Sequence, residues 1–196
     1  MSNKQKIVII GDGNVGQALA RGATRAGYDV KVVGEDANAT RAAAEWAELA
    51  LLAVPFGAID AVAQTVGGLL DGKVLVDVTN ALNADMSLAL GYTTSGAEEL
   101  QKKLPRARVA KAFNTVFAQH MDSGRLGEQR LSAFVASDDA DAKRAVVELA
   151  KAIGFDPIDA GPLANARLIE PFAYLNIQLG YVLGLGTQIG FKLLHS

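Results

Sequence analysis

Lys6-Ile7-Val8-Ile9-Ile10-Gly11-Asp12-Gly13-Asn14-Val15-Gly16-Gln17-Ala18-Leu19-Ala20 sets an apolar run of strand type against three glycines spaced G-x-G-x-x-G, and a helix-type pattern follows at once. That strand–turn–helix context is what gives the glycine motif meaning. Gly11 is expected to make the tight turn off the strand. Gly13 lets a pyrophosphate approach the backbone, and Gly16 lets the helix pack closely on the strand. The first helical turn, at Asn14 and Val15, then offers unpaired N–H groups and a partial positive charge to phosphates.

Outward from this unit, strand and helix patterns alternate. The spacing predicts a strand at 5–10, a helix at 14–26 capped by Gly27, and a strand at 28–33. A helix at 39–46 leads to the run 49–54, which Pro55 stops. Because that run is apolar on both faces, it fits a buried parallel strand covered by helices. A helix at 56–70 and a strand at 73–78 come next. Residues 81–95 read as a loop, and Ser95 caps a short helix with Glu98 as its capping-box partner. Strands follow at 108–112, 131–136 and 155–159. Between the last two, Asp138 and Asp139 open a helix that runs to 153. The segment 163–194 is helix-like but broken by Gly180, Gly184, Gly186 and Gly190, which predicts one helix at 166–183 and a second short piece. The fold class is α/β, a doubly wound parallel sheet of Rossmann type. Residues 1–160 form the dinucleotide-binding domain, and 161–196 form a short C-terminal helical extension packed on it.

Composition limits the function. Half of the 196 residues are hydrophobic and 20% are charged, so a sizeable core is expected. A net charge of −2 argues against a nucleic-acid footprint. The absence of cysteine excludes disulfides, thiolate metal sites and cysteine nucleophiles. Two histidines are a poor basis for a zinc or copper site. The apolar run at 7–10 starts too early and is too short for a secretory signal, and no stretch reaches the ~18 apolar residues of a membrane span. The nearest candidate, 172–185, carries Asn176 and Gln178. A soluble, cytoplasmic protein is expected.

In such sheets ligands sit at the carboxyl ends of the strands, near the switch point. After the second strand comes Gly34-Glu35-Asp36. An acidic residue about 20 positions past the glycines accepts hydrogen bonds from the adenosine ribose and repels a 2′-phosphate, so Glu35 favours NAD over NADP. Arg41 is close enough in sequence to offer a 2′-phosphate a counter-charge. After the third strand, Val54-Pro55-Phe56 places Phe56 beside the adenine or pyrophosphate, or in plain packing. After the fourth, Thr79-Asn80 meets the ribose on the nicotinamide side. After the fifth, Phe113 and Asn114 flank the nicotinamide, with a core role equally open for Phe113. No acid–base group stands at a strand end. His120 is expected on a helix surface, Lys111 inside a strand, pointing out or paired, and His195 near the end of the chain. This suits an acceptor that takes hydride without strong acid catalysis, such as a flavin or deazaflavin ring.

The segment Asp159-Ala160-Gly161-Pro162-Leu163-Ala164-Asn165-Ala166-Arg167-Leu168-Ile169-Glu170 resembles the DAGPL-x-N-x-R-x-x-E segment of the coenzyme F420-dependent NADP oxidoreductase family. The tail at 184–194 is similar to that family's closing segment. Lys111-Ala112-Phe113-Asn114-Thr115-Val116 resembles its bacterial branch and also the cytosolic oxidoreductase domain of the six-transmembrane metalloreductases. The resemblance implies hydride transfer between NADP(H) and a deazaflavin or flavin, often in a homodimer. It implies that Gly11, Gly13, Asn14, Val15 and Gly16 hold the dinucleotide phosphates, with Asn80 and residues 113–116 near the nicotinamide. Asn165, Arg167 and Glu170 match the signature and are expected to join the extension to the sheet. Two positions depart from the archaeal pattern. Glu35-Asp36 stands where archaeal members carry Ser-Arg, whose arginine meets the 2′-phosphate. Asn114-Thr115 stands where they carry His-Thr.

Several readings therefore stand side by side. The leading one is an oxidoreductase passing hydride between NADP or NAD and a small-molecule acceptor of the FMN, FAD or F420 type. Others are a small hydroxyacid or imine dehydrogenase, a dinucleotide-binding sensor without turnover, and an electron-transfer component docking to a partner. The glycine-broken apolar tail is expected to make a homodimer contact.

Overall fold

The computed structural model describes residues 4–194; His195 lies outside them. In chain order the elements are β1 (Lys6–Ile10), α1 (Asn14–Arg25), β2 (Asp29–Val33), α2 (Ala37–Trp46), β3 (Leu49–Leu52) and α3 (Ile59–Val66). Then come β4 (Val74–Asp77), α4 (Gly96–Lys103), β5 (Arg108–Lys111), α5 (Ala118–Met121), β6 (Arg125–Leu126) and β7 (Gln129–Arg130). The chain closes with β8 (Ser132–Ser137), α6 (Ala140–Ile153), β9 (Asp156–Asp159) and α7 (Ala166–Ile177). The main sheet runs in the order β2-β1-β3-β4-β5-β8-β9.

Strands β1 to β5 pair in parallel, as expected. Strand β8 does not follow: it pairs antiparallel with β5, and β9 then lies parallel to β8. A parallel return needs a long crossover, usually a full helix. Here the link from β5 to β8 holds only the four residues of α5 and the small β6–β7 hairpin, and the chain comes back in the opposite sense. The sheet is therefore mostly rather than wholly parallel.

The apolar character of β1 and β3 has a direct cause. Side chains alternate between sheet faces, and both faces are covered. Ile7, Ile9, Leu49 and Leu51 enter the layer that also holds Leu19, Val146 and Phe155. Val8, Ile10, Ala50 and Leu52 enter the opposite layer with Ile59, Val66 and Leu100. The chain passes from β1 to β2 on one side and returns to β3 on the other, which puts the switch point between β1 and β3.

Helix starts are set by caps. The Asp36 carboxylate accepts from the N–H groups of Asn38 and Ala39 at 2.8 and 3.0 Å, so α2 begins two residues before the predicted start. Asp139 caps α6 and Ser95 caps α4. At the C-terminal end, the single helix predicted for 166–183 stops at Ile177 and passes into a π turn, Gln178–Val182. Gly180 sits under the Phe117 ring, where a Cβ would lie 2.7 Å from Cζ. The second short helical piece is not formed. The tail instead runs beside β8: the Ser132 N–H donates to the Phe191 carbonyl at 2.9 Å, and the Leu193 N–H donates to the Ser132 hydroxyl at 2.9 Å.

Candidate functional site

A two-part cleft opens at the switch point. Its floor is the glycine turn. Gly11 has φ +118°, and a Cβ there would lie 2.2 Å from the Ala53 carbonyl oxygen, so only glycine fits. The Gly11 N–H donates to the Val33 carbonyl at 2.8 Å, tying the turn to the end of β2. Gly16 lies beneath the cleft. A Cβ on it would come 1.9 Å from the Gly11 carbonyl oxygen and 3.3 Å from the Ile9 side chain, so its task is the close packing of α1 on β1. At Gly13 an added Cβ would meet nothing within 4 Å. It would stand in open space at the start of α1, between the two halves of the cleft.

The first half is a cavity of about 390 Å³. The glycine turn forms one wall, Gly34 and Glu35 a second, and Ala58, Ala61 and Val62 an apolar third. Its charged lining residues are Asp12 and Glu35, both acidic. The Asp12 carboxylate lies against the backbone of Gly34, in the space a side chain there would take: a Cβ would be 2.6 Å from Oδ2. Arg41 stands beside this cavity: one N–H of its guanidinium donates to the carbonyl of the lining residue Thr65 at 2.7 Å.

The second half, about 380 Å³, shares Gly13, Val54 and Pro55 with the first. It extends past Asn14, Val15 and Phe56 to Thr79 and Asn80 at the end of β4. Leu82, Asn83 and Met86 of the following loop close its outer side. None of its lining residues is His, Lys, Tyr, Asp or Glu.

Of the residues singled out in the sequence, Gly11, Asp12, Gly13, Asn14, Val15, Glu35, Val54, Pro55, Phe56 and Asn80 all line this cleft. Phe113 does not. Its ring is fully buried, 5.5 Å from the Phe155 ring in the core. The expectation that it flanks the nicotinamide is corrected: Phe113 has φ +67°, and its ring packs in the apolar layer that carries Phe155. Asn114 is also buried and meets the cleft only through Asn80. Its amide donates to the Asn80 side-chain oxygen at 3.2 Å, and the Asn80 amide donates to the Asn114 carbonyl at 3.4 Å. His120, expected on a helix surface, is buried as well. Its Nε2 lies 3.1 Å from the Thr187 carbonyl, because the tail crosses over α5.

Next to the second cavity lies a cluster that unites two expected partners, a paired Lys111 and Glu170 of the extension, with Asp77, which the sequence reading did not single out. Lys111 and Asp77 are fully buried and Glu170 nearly so. The Lys111 ammonium has three acceptors: Asp77 Oδ2 at 2.9 Å, Thr79 carbonyl at 2.6 Å and Glu170 Oε1 at 3.0 Å. Burial alone pushes this ammonium down, but the Asp77 and Glu170 carboxylates outweigh it and hold its pKa above the usual lysine value. Asp77 Oδ1 accepts from the Thr79 N–H at 2.9 Å. Glu170 also accepts from the Gly96 and Ala97 N–H groups at the start of α4, at 2.9 and 3.2 Å. A signal was present in the sequence: Asp77 and Lys111 each end an apolar strand with a charge, and they are register partners across β4 and β5.

Arg167 and Asn165 complete the anchoring of the C-terminal segment. The Arg167 guanidinium grips the Glu98 carboxylate with Nε at 2.9 Å and Nη2 at 2.6 Å. The Asn165 amide donates to the Ala160 carbonyl at 2.6 Å. Glu170 thus joins the extension to the sheet through Lys111 and Asn165 bonds to Ala160 just past β9, while Arg167 reaches helix α4 rather than the sheet.

Fold and cleft together define a Rossmann-type α/β protein with its site at the β1/β3 switch point. Residues 6–81 match the family described as "NADP oxidoreductase coenzyme F420-dependent". The F420-dependent NADP reductase of Methanothermobacter marburgensis is 38% identical over 160 residues, covering 77% of this chain and 69% of that protein. A crystal structure from Arthrobacter sp. FB24, described as a candidate F420-dependent NADP-reductase, superposes with a TM-score of 0.89 at 30% identity, covering 97% of this chain and 100% of that one. Metalloreductase STEAP3 of Rattus norvegicus is 39% identical over 101 residues, 52% of this chain. The chain spans only 20% of that relative's length. The chain belongs to the F420-dependent NADP oxidoreductase family.

Proposed function

We propose that the chain is a nicotinamide-dependent oxidoreductase that passes hydride between a dinucleotide and a flavin or F420-like ring. The adenosine half occupies the cavity of Glu35, the pyrophosphate crosses Gly13, and the nicotinamide half enters the cavity of Thr79 and Asn80. The observation that carries this reading is the second cavity's lack of an ionisable side chain at the open surface. Reduction of a carbonyl or imine calls for a positioned proton donor. A bound dihydronicotinamide would supply hydride to a ring acceptor and water the balancing proton, so the residues of the cleft would only have to position the two rings and exclude competitors.

Membership of the family supports NADP, and the acidic lining of the first cavity supports NAD. A 2′-phosphate there would face Asp12 and Glu35 with no cation among the lining residues, whereas ribose hydroxyls would find a carboxylate acceptor. Titration with NADH and NADPH tests this, followed by oxidation of the bound dinucleotide with FMN, FAD and an F420 analogue. NADH binding at least tenfold tighter, about 1.4 kcal/mol, together with turnover by a ring acceptor, is the expected result. Tight binding without turnover by any ring would make the chain a sensor. We also propose a homodimer, supported by the exposed apolar residues Tyr181, Val182, Leu183 and Leu185 on the tail.

A further inference from the structure

We infer that Asp77, Lys111 and Glu170 act as one positioning centre for the nicotinamide half of the dinucleotide, with the Thr79 hydroxyl as the group they aim. The inference rests on the placement of the nicotinamide half proposed above.

The argument starts from cost. A buried ion cluster is a weak way to gain stability, since well-packed apolar side chains of similar volume do as well or better. This cluster has a feature that apolar residues cannot supply. Lys111 donates to the Thr79 carbonyl while Asp77 accepts from the Thr79 N–H. Both polar groups of one residue's backbone are thus held by the two halves of an ion pair. Thr79 lies two residues past the end of β4, between Val78 and Asn80 in the cleft wall.

The held residue ends in an open valence. The Thr79 hydroxyl is buried and has no hydrogen-bond partner among the described residues. A buried hydroxyl left unpaired is costly, and Thr79 is among the residues that line the second cavity. A ligand carrying a hydroxyl or a carboxamide would complete it, and the nicotinamide riboside half of a dinucleotide carries both. Asn80, the next residue, is fixed separately by its two-way bond with Asn114.

Glu170 extends the device to the C-terminal segment. It is the third acceptor of Lys111 and at the same time accepts from the first N–H groups of α4. Helix α7 therefore reaches the cleft wall through one carboxylate, although Glu170 itself is not among the residues lining the cleft. These three are positioning residues, and Thr79 is the one that meets the ligand.

The test compares NADH with ADP-ribose, which lacks the nicotinamide ring, on the full chain and its variants Glu170→Gln, Lys111→Met and Thr79→Val. All three are expected to lower NADH affinity at least tenfold and to leave ADP-ribose affinity within twofold. An unchanged NADH to ADP-ribose ratio in folded Glu170→Gln and Thr79→Val overturns the inference, and so does equal weakening of both ligands, which marks a merely structural cluster. If Lys111→Met does not fold, the other two variants decide alone. A wild-type chain that binds neither ligand overturns the proposed function itself, and this inference with it.

Discussion

Replacing Gly13 by alanine separates the fold from the function. The backbone at Gly13 is extended, with φ −71° and ψ −174°, a conformation alanine adopts freely. The new methyl would meet no atom within 4 Å. Two small effects on stability oppose each other. Removing a glycine from the unfolded chain stabilises by roughly 0.4–1 kcal/mol, while alanine is a poorer residue than glycine at the N-cap that Gly13 occupies. The net change is expected to stay within about 1 kcal/mol, or roughly 2–4 °C in Tm for a chain of this size. Binding should respond differently. The methyl would stand in the channel joining the two cavities, where the pyrophosphate must approach the N–H groups of α1. Losing one hydrogen bond to a charged group costs about 1.5–3 kcal/mol, which is roughly tenfold to a hundredfold in Kd. The assay pairs thermal unfolding with NADH fluorescence titration. A normal Tm with unchanged NADH affinity would refute the placement of the pyrophosphate. A Tm lowered by 10 °C would refute the claim that the site is sterically open. Gly16→Ala is the contrasting control: its Cβ, 1.9 Å from the Gly11 carbonyl oxygen, should prevent normal folding.

Glu35→Ser removes a carboxylate from the adenosine cavity, and the Kd ratio of NADPH to NADH is expected to fall at least about tenfold. A ratio that stays put would clear Glu35 of any part in selectivity. The Arg167 hydrogen bonds hold the Glu98 carboxyl below the usual glutamate range. Its stabilising contribution is therefore full above the unfolded-state pKa of about 4.3 and is lost as pH falls through the folded value. Glu98→Gln should flatten the fall of Tm between about pH 5 and pH 3; identical acid limbs would refute the link. Sedimentation at micromolar concentration should give the mass of a dimer, and Leu183→Asp should shift it towards the monomer. A monomeric wild type would rule out the tail contact.

The sequence made the first half of the molecule legible because each position there obeys a local rule. Glycines at fixed spacing meet an apolar strand, and the alternating faces of β1 and β3 both demand burial. Cleft residues that immediately follow a strand, such as Glu35, Pro55 and Asn80, were found for the same reason. Phe113 stood open between cleft and core because strand-end position says nothing of direction: its positive φ and the Phe155 ring decide that it belongs to the core. The reversed direction of β8 depends on what the chain between β5 and β8 fails to build, which no local pattern records. Lys111 looked like an ordinary strand lysine because its partners are 34 and 59 positions away in the chain. Leu82, Asn83 and Met86 enter the cleft from a loop without periodicity.

Asp36 gives the cofactor question a structural side. It stands where the resemblance places the arginine that meets a 2′-phosphate, and here its carboxylate holds the first turn of α2. An exchange of Asp36 for arginine would surrender that cap, typically worth about 1 kcal/mol, before gaining any phosphate contact. It would still have Glu35 beside the newcomer. Arg41, nearby, places one N–H on the Thr65 carbonyl and keeps its charge. The exchange therefore carries a stability cost of its own, whichever dinucleotide the cavity takes.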